Sequence, residues 1–224
     1  MKSNLLISGL LASIFSTFGA AQASTGVAVE AGSAGVGAHL SVALQGRLNA
    51  RVGFNYLNYN FTGDTTDAEY DFDMKLQTFD FLLDWFPTDS QWRISAGVVL
   101  NGNEIKVVAK PAANGSYQFQ GNTYDGARAG RIDGNIAFKK VAPYLGMGWG
   151  NAVAMNKGWG FSSDLGVLFQ RTPETTLVNT GCTAPAAMCA GLAASVAKES
   201  IKLNDEVKDF KFYPVIRLGV SYKF

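Results

Sequence analysis

The sequence predicts an all-β fold: an eight-stranded antiparallel up-and-down transmembrane β-barrel with short periplasmic turns and long extracellular loops. Three observations predict it. Apolar and polar residues alternate along most of the chain, short connections alternate with long ones, and all four tryptophans lie beside short connections. Successive side chains of a strand point to opposite faces, so each alternating segment has one apolar and one polar side.

The N-terminal segment has the layout of a secretory signal peptide. A lysine at the start is followed by an apolar stretch over residues 5–18 and by an Ala-Gln-Ala site at 21–23. The apolar stretch is shorter than the roughly 20 residues that a membrane-spanning helix needs. We therefore expect residues 1–23 to be removed on export and residues 24–224 to form one barrel domain.

Eight later segments alternate with a period of two residues and are predicted as strands. They cover residues 27–32, 36–44, 48–56, 70–86, 92–100, 141–149, 159–170 and 210–224. The fourth segment is apolar at even positions as far as Leu76 and at odd positions from Phe79. This change of register predicts a β-bulge near Gln77 and Thr78.

The connections differ strongly in length, as in outer-membrane barrels, where short turns lie at one end and long loops at the other. Short turns are predicted at residues 33–34, 45–47, 87–91 and 155–158, and long loops at 62–69, 111–133 and 173–209. The third long loop contains apolar residues near helical spacing, which predicts a short amphipathic helix. These residues are Leu192, Val196, Leu203 and Val207.

The tryptophans indicate that lipid surrounds the barrel. Each lies where a predicted strand meets a short turn; they are Trp85, Trp92, Trp149 and Trp159. Indole rings prefer the level of the lipid headgroups, so this placement predicts an interfacial girdle. A soluble barrel of the lipocalin type is the alternative. It would place the large apolar face inside, and the polar face of these segments is too rich in glycine and charge to line such a cup.

Charged side chains on the polar face are predicted to point into the barrel. They are Glu30, His39, Arg51, Asp80, Asp84, Arg93, Lys140, Asp164 and Arg217. Acidic and basic strands alternate around the predicted barrel, and eight strands enclose a space that side chains just fill. We expect ion pairs that plug the lumen, with glycines at 146, 148, 150 and 160 leaving room for long arginines. A selectivity filter, a proton path or slow leakage of small solutes is the alternative.

The sequence offers little support for catalysis or for a cofactor. His39 is the single histidine, and Ser41 lies on the same face, so a His39–Ser41 pair for hydrolysis is one hypothesis. A hydrogen-bonded histidine in the lumen is the preferred interpretation. We expect no cofactor and no metal site, because one histidine and two cysteines are a poor ligand set. With 19 basic against 18 acidic residues, the chain also lacks the basic field of nucleic-acid-binding proteins.

The two cysteines, Cys182 and Cys189, lie in one stretch rich in Gly, Ala and Pro. They are predicted to form a disulfide in an oxidising periplasm or exterior, with two free thiols as the alternative.

A basic group with interleaved aromatic residues marks the second long loop and its flanks. The basic residues are Lys110, Arg128, Arg131, Lys139 and Lys140, and the aromatic ones are Tyr117, Phe119 and Tyr124. If this loop faces outward, the basic side chains meet lipopolysaccharide phosphates. The aromatic residues would then support binding of a surface ligand, and a solvated loop is the ordinary alternative.

The chain ends in Tyr222-Lys223-Phe224, after aromatic or aliphatic residues at every second position. With its signal segment and eight alternating segments, it resembles the small Gram-negative outer-membrane barrels of the OmpA-barrel, OmpW and Opa type. Segments 141–150 (VAPYLGMGWG) and 212–224 (FYPVIRLGVSYKF) are similar to members of this group. The resemblance implies an outer-membrane location, lipid and lipopolysaccharide contacts, and a terminal signal at Tyr222 and Phe224 for the outer-membrane insertion machinery.

Such barrels host pores, adhesins, enzymes and stabilisers, so the resemblance implies little about activity. Our leading hypothesis is a non-enzymatic, monomeric protein whose plugged barrel anchors outward loops for envelope stabilisation or surface interaction. One alternative is a small OmpW-like channel or transporter for apolar or small solutes. Another is a lipid-modifying enzyme built on His39. The sequence does not identify an extracellular ligand.

Overall fold

The computed structural model describes residues 24–64, 69–112, 114–153 and 156–224. The predicted signal peptide, the middle of the predicted loop at 62–69 and the start of the turn at 155–158 lie outside the described residues. The described strands are β1 (Thr25–Gly32), β2 (Gly35–Ala43), β3 (Leu48–Asp64), β4 (Glu69–Trp85), β5 (Trp92–Asn101), β6 (Glu104–Lys110), β7 (Ser116–Phe119), β8 (Asn122–Asp125), β9 (Arg131–Ala137), β10 (Val141–Trp149), β11 (Gly158–Phe169), β12 (Glu174–Thr180) and β13 (Phe212–Lys223). The described helices are α1 (Gly126–Ala129) and α2 (Ala186–Val207).

Eight of the described strands close into an antiparallel barrel. Around the barrel the order is β1, β2, β3, β4, β5, β10, β11 and β13, and β13 pairs back to β1. These strands coincide with the eight segments predicted from alternation, including the short first strand and the turn at 33–34. The predicted closed antiparallel barrel is therefore confirmed.

The barrel is apolar on its outside and polar on its inside. On β11, Phe161 and Leu165 point outward and are 54% and 56% exposed, whereas Asp164 points inward and is 3% exposed. The other barrel strands alternate in the same way. The outward residues are largely β-branched, aromatic or leucine, which suits a pleated strand surface.

Five barrel strands extend beyond the barrel, on the side away from the short turns, and β3 and β4 do so without interruption. After a break of a few residues, β5 continues as β6, β10 is preceded by β9, and β11 continues as β12. Strand β4 pairs with β5 over Thr78–Trp85 and with β6 over Glu69–Lys75, in one unbroken register. We call the sheet formed by β6, β9, β12 and the β3–β4 hairpin at 57–64 and 69–76 the distal sheet.

Helix α2 and the β7–β8 hairpin cover one face of the distal sheet. They enclose a hydrophobic core separate from the barrel: Ala109, Tyr117, Phe119, Tyr124, Ala129, Ile132, Leu192 and Val196. The backbone of Thr175 on β12 exchanges hydrogen bonds with the amide side chain of Asn204 on α2, at 2.8 Å and 2.7 Å. The predicted amphipathic helix is confirmed, and it is 22 residues long rather than short. We call the distal sheet, α1, α2 and the hairpin together the distal domain.

The predicted β-bulge near Gln77 and Thr78 is wrong. Strands β3 and β4 pair without a shift from Leu48 opposite Trp85 to Asp64 opposite Glu69. The strand register stays constant along β4. The apolar residues change face because different parts of the molecule cover the two halves of the strand. In the barrel the outward face is apolar, whereas in the distal sheet the inward face is apolar and packs beneath α2.

The two longest predicted loops are also more ordered than the sequence indicated. Residues 111–133 contain β7, β8, α1 and the start of β9, and residues 173–209 contain β12 and α2. Their polar and Gly-rich composition reflects short strands with one exposed face, joined by turns at positive-φ glycines such as Gly121 and Gly181.

Candidate functional site in the barrel interior

The barrel interior is the candidate functional site because it concentrates buried charge. Eight predicted lumen residues point inward with at most 4% exposure: Glu30, His39, Arg51, Asp80, Asp84, Arg93, Asp164 and Arg217. Lys140 was expected to join them, but this expectation is wrong. It lies exposed in the connection between β9 and β10, where the strand alternation is interrupted.

One ion pair spans the full width of the barrel. Arg51 on β3 donates from Nη1 to Oδ2 of Asp164 on β11 at 2.7 Å. Strands β3 and β11 are four positions apart in the ring of eight, so this bond joins opposite walls. Arg93 on β5 donates from Nη2 to the other oxygen of the same carboxylate at 2.9 Å. Two guanidinium groups therefore hold Asp164.

Asp84 completes this arrangement on the other side of the two arginines. Its Oδ2 lies 3.0 Å from Nε of Arg51, and its Oδ1 lies 3.8 Å from Nε of Arg93. The hydroxyl of Ser95 also donates to Asp84. We call Arg51, Asp84, Arg93 and Asp164 the proximal network, since it lies nearer the short turns. Two cations and two anions compensate each other there, as buried charges require.

A second network lies deeper in the barrel, around Asp80. Arg217 on β13 places Nη2 at 2.7 Å from Oδ2 of Asp80 on β4, and these strands again lie on opposite walls. Asn55 donates from Nδ2 to the same oxygen at 3.0 Å. His39 lies between two carboxylates, with Nε2 3.2 Å from Asp80 and Nδ1 3.2 Å from Glu30. We call Glu30, His39, Asp80 and Arg217 the central network.

The two networks balance in charge only with a cationic histidine. They contain four carboxylates and three guanidinium groups, and His39 supplies the fourth positive charge when both ring nitrogens carry protons. In that form the imidazolium donates from Nε2 to Asp80 and lies in ion-pair contact with Glu30. Glu30 also lies 4.0 Å from Arg51, which links the central to the proximal network.

Glycines make room for these long side chains. A Cβ atom at Gly148 would lie 2.9 Å from Oδ1 of Asp164 and 3.1 Å from Cζ of Arg93. A Cβ atom at Gly53 would lie 1.9 Å from the ring of His39. The predicted role of Gly148 beside an arginine matches this geometry, whereas the role of Gly53 was not predicted.

An apolar layer fills the barrel beyond the charged networks. It consists of Leu82, Val99, Ala142, Tyr144, Leu168 and Val215. The guanidinium of Arg217 lies 5.7 Å from the centre of the Tyr144 ring, within cation–π range. Two cavities in the barrel interior measure about 10 Å³ each, roughly the space of one water molecule.

Several interior residues escaped the sequence analysis. Asn55 and Ser95 hold carboxylates, Ser162 donates to Glu30 at 2.9 Å, and Tyr144 lies beneath Arg217. All four lie at inward positions on predicted strands. The alternation of each strand therefore predicts that they point inward. Charge alone identifies only the charged members of each network.

The geometry around His39 does not form the hypothetical His39–Ser41 pair. Both ring nitrogens face carboxylates, so neither is directed at the hydroxyl of Ser41. The chemistry of this group is that of a buried ion-pair bridge.

The described residues contain neither a metal-binding cluster nor a membrane-spanning helix. Within residues 24–64, 69–112, 114–153 and 156–224, no group of three or more His, Cys, Asp and Glu side chains is placed to hold a metal ion. No helix in the described part of the chain has the length and apolar character needed to cross a bilayer.

On the outside, the four tryptophans lie at the short-turn rim. Trp92 and Trp149 are directly paired across β5 and β10, and Trp85 ends β4. The Trp159 ring meets that of Tyr222 at 5.1 Å. Phe224 is 61% exposed and contacts Tyr222 at the same rim.

The basic residues of the distal domain are interleaved with acids. Lys110 lies 2.7 Å from Asp71, and this hydrogen bond lowers the pKa of the Asp71 carboxyl. Other pairs on this surface are Arg128–Asp125, Arg131–Asp133 and Lys139–Glu174. In each of these four pairs a carboxylate lies within 3.8 Å of the basic group and compensates its charge.

The aromatic residues of the second loop are not on this surface. Tyr117, Phe119 and Tyr124 are at most 9% exposed and form part of the distal core. Helix α2 covers them, so they do not form the exposed surface on which the surface-ligand hypothesis depends. The sulfur atoms of Cys182 and Cys189 are joined in a disulfide at the start of α2.

The fold and the interior together define a class: a closed eight-stranded antiparallel barrel with an apolar exterior, charged interior and covered distal sheet. No protein-family model matches the chain, and no curated protein matches it.

Solved structures with a similar fold do exist. CarO of Acinetobacter baumannii is 23% identical, with a TM-score of 0.56 over 89% of this chain and 97% of that one. CarO2 of the same organism is 20% identical, with a TM-score of 0.58 over 91% of this chain and all of that one. At this level of identity the similarity concerns the fold.

Proposed function

We propose that this protein is a non-enzymatic outer-membrane anchor. Its side-chain-plugged barrel lies in the lipid, and its distal domain lies outside the cell. There the distal domain stabilises the envelope or contacts the exterior. The observation that carries the proposal is the pair of ion bridges, Arg51–Asp164 and Arg217–Asp80, which cross the lumen between opposite walls.

The barrel exterior supports membrane insertion. Outward residues with 43–57% exposure include Val52, Phe81, Leu83, Val98, Leu145, Met147, Phe161, Leu165, Ile216 and Leu218. An apolar surface that encircles a molecule is far larger than the patches soluble monomers expose. In a bilayer this surface faces lipid, and the closed strand ring leaves no unpaired sheet edge in the hydrocarbon.

The rim residues support an orientation. Trp85, Trp149 and Trp159 project outward beside the short turns, where indole rings fit a headgroup layer. Short turns face the periplasm in barrels of this kind, so the distal domain points outward and its ion pairs lie near lipopolysaccharide. Tyr222 and Phe224 at the same rim fit the proposed terminal signal for the insertion machinery.

The packing of the lumen favours the function of an anchor rather than that of a channel. A channel needs a continuous water path, whereas the cavities lined by the two charged networks are each about the size of one water. The eight charged groups are paired with each other, so opening a path would require separating buried ion pairs. Such separation leaves uncompensated charge and is strongly unfavourable.

Single-channel recording in planar bilayers tests this proposal. We expect no conductance steps from wild-type protein, and steps from the double variant Arg51→Ser/Asp164→Ser, which removes a cross-lumen bridge. Asp71→Ser/Asp133→Ser, on the distal surface, is the matched control and should stay silent. Steady, saturable events from wild-type protein would favour the OmpW-like channel instead. Heat-modified migration on detergent gels checks that each variant is folded.

A further inference from the structure

The distal domain contains a pocket that the anchor role does not use. It has a volume of about 290 Å³ and lies between the distal sheet and α2. Most of its lining is apolar: Tyr70, Phe72, Val107, Ala109, Ile132 and Leu177 from the sheet side and Leu203 from α2. It is therefore large enough for a bicyclic molecule and falls near the lower end of ordinary ligand sites.

Two residues of the lining, Thr175 and Asn135, each have a buried side-chain oxygen without a hydrogen-bond partner among the described residues. Thr175 is 5% exposed, and its Oγ1 makes no hydrogen bond with any described protein group. Its backbone groups are bound to Asn204, so only the hydroxyl remains available. A buried hydroxyl without a partner is unfavourable, and a ligand with a hydrogen-bonding group would satisfy it.

The charge at the pocket edge favours a particular kind of ligand. Glu199 on α2 lines the pocket, and its carboxylate already accepts a hydrogen bond from Gln120 at 2.7 Å. Nζ of Lys202 lies 3.7 Å from the same carboxylate, so the pocket edge carries a compensated pair. A mainly apolar lining without net charge suits a neutral molecule, and an N–H or O–H of that molecule can donate to the Thr175 hydroxyl.

An aromatic surface leads to this pocket from the outside. Tyr59 and Phe61 on β3 are 56% and 43% exposed, although they lie on the inward face of the hairpin. The Phe61 ring stacks on Phe72 at 4.7 Å, and Phe72 contacts Tyr70 at 6.1 Å. Since Phe72 and Tyr70 line the pocket, exposed and buried aromatic rings form one continuous path.

We propose that the distal domain binds a small, neutral, mainly apolar molecule with one hydrogen-bond donor in this pocket. The ligand lies between α2 and the distal sheet and donates to Thr175. This role is independent of whether the barrel conducts, because the pocket lies outside the lumen.

Equilibrium dialysis against protein in nanodiscs tests the proposal, with empty nanodiscs measuring uptake by lipid. The probes are indole, which has one N–H, and 1-methylindole, which has none. We expect wild-type protein to bind indole at one site above the lipid background, and 1-methylindole about fivefold more weakly. Uptake no greater than that of empty nanodiscs would overturn the proposal.

Two variant pairs locate the site. Leu203→Trp fills the pocket and should lower indole affinity at least tenfold, whereas Ile201→Trp, on the exposed side of α2, should leave it unchanged. Thr175→Val should weaken indole about fivefold and leave 1-methylindole unaffected. Thr176→Val, on the opposite face of β12, should change neither. If Leu203→Trp disrupts α2, the Thr175→Val pair still decides, and equal indole binding by Thr175→Val and wild type contradicts the assignment.

Discussion

The two halves of strand β4 present opposite polarity to the same side of the sheet. In the barrel half, the inward positions include Asp80 and Asp84, and the outward positions include Phe81 and Leu83. In the distal half, the inward positions are apolar and pack beneath α2, whereas Asp71 and its neighbours face outward. The register is continuous throughout. The apolar face of a strand therefore depends on what covers that face, and the level at which it changes marks the end of the apolar barrel exterior.

This comparison predicts that removing a buried carboxylate lowers the unfolding free energy far more than removing an exposed one. Asp164→Asn leaves Arg51 and Arg93 in the barrel interior with one counter-charge fewer, so we expect a loss of about 3–5 kcal/mol in unfolding free energy. Urea titration followed by heat-modified migration measures this loss. Asp71→Asn, in the distal half, removes an exposed pair with Lys110, so we expect a much smaller loss of unfolding free energy. Equal effects of the two substitutions would contradict the buried networks.

The outward face offers a second contrast along the same strand. With the barrel inserted in lipid as proposed, Phe81→Arg places a charge on the apolar exterior, with an expected cost of about 2–4 kcal/mol in unfolding free energy near the bilayer midplane. Asp73→Arg introduces the same side chain on the same face of β4, in the distal half, and should be nearly neutral. Folding yield and urea midpoints in lipid vesicles distinguish them. A tolerated Phe81→Arg would indicate that this face is in water.

Removing the disulfide is expected to have a smaller effect, and to lower the stability of the distal domain without changing that of the barrel. Cys182→Ser/Cys189→Ser opens a short loop at the start of α2, and we expect about 2 kcal/mol less stability in the distal domain. Protease cleavage within 173–209 should accelerate, while the heat-modified migration of the barrel stays unchanged. Loss of barrel migration would show that the two regions unfold together.

The barrel was largely predictable from the sequence, because a period of two residues with one apolar face is a strong signal. The same rule placed Asp80 and Arg217 in the interior. It did not show that they meet across the lumen, since that contact depends on barrel order and strand tilt rather than on either strand alone. Contacts between adjacent strands, such as that of Arg51 with Asp84, are easier to predict, because strands that follow each other in the sequence pair in the barrel.

The distal sheet was missed for a related physical reason. Ile105, Val107 and Ala109 alternate in β6, and Ile132 and Ile136 alternate in β9, but both runs are short and lie among charged residues. Their apolar face is covered by α2, which is distant in the sequence, so nothing local identified them as strands. The same covering helix explains why the aromatic residues of the second loop are buried.

The position of Arg217 on the last strand has a consequence for biosynthesis. Asp80 on β4 is made long before this guanidinium, and the two are joined only when β13 closes the ring between β11 and β1. A chain that stops short of β13 leaves Asp80 without its guanidinium partner and leaves two sheet edges unpaired. A truncated chain is therefore destabilised in two ways, by an uncompensated buried charge and by unpaired strand edges.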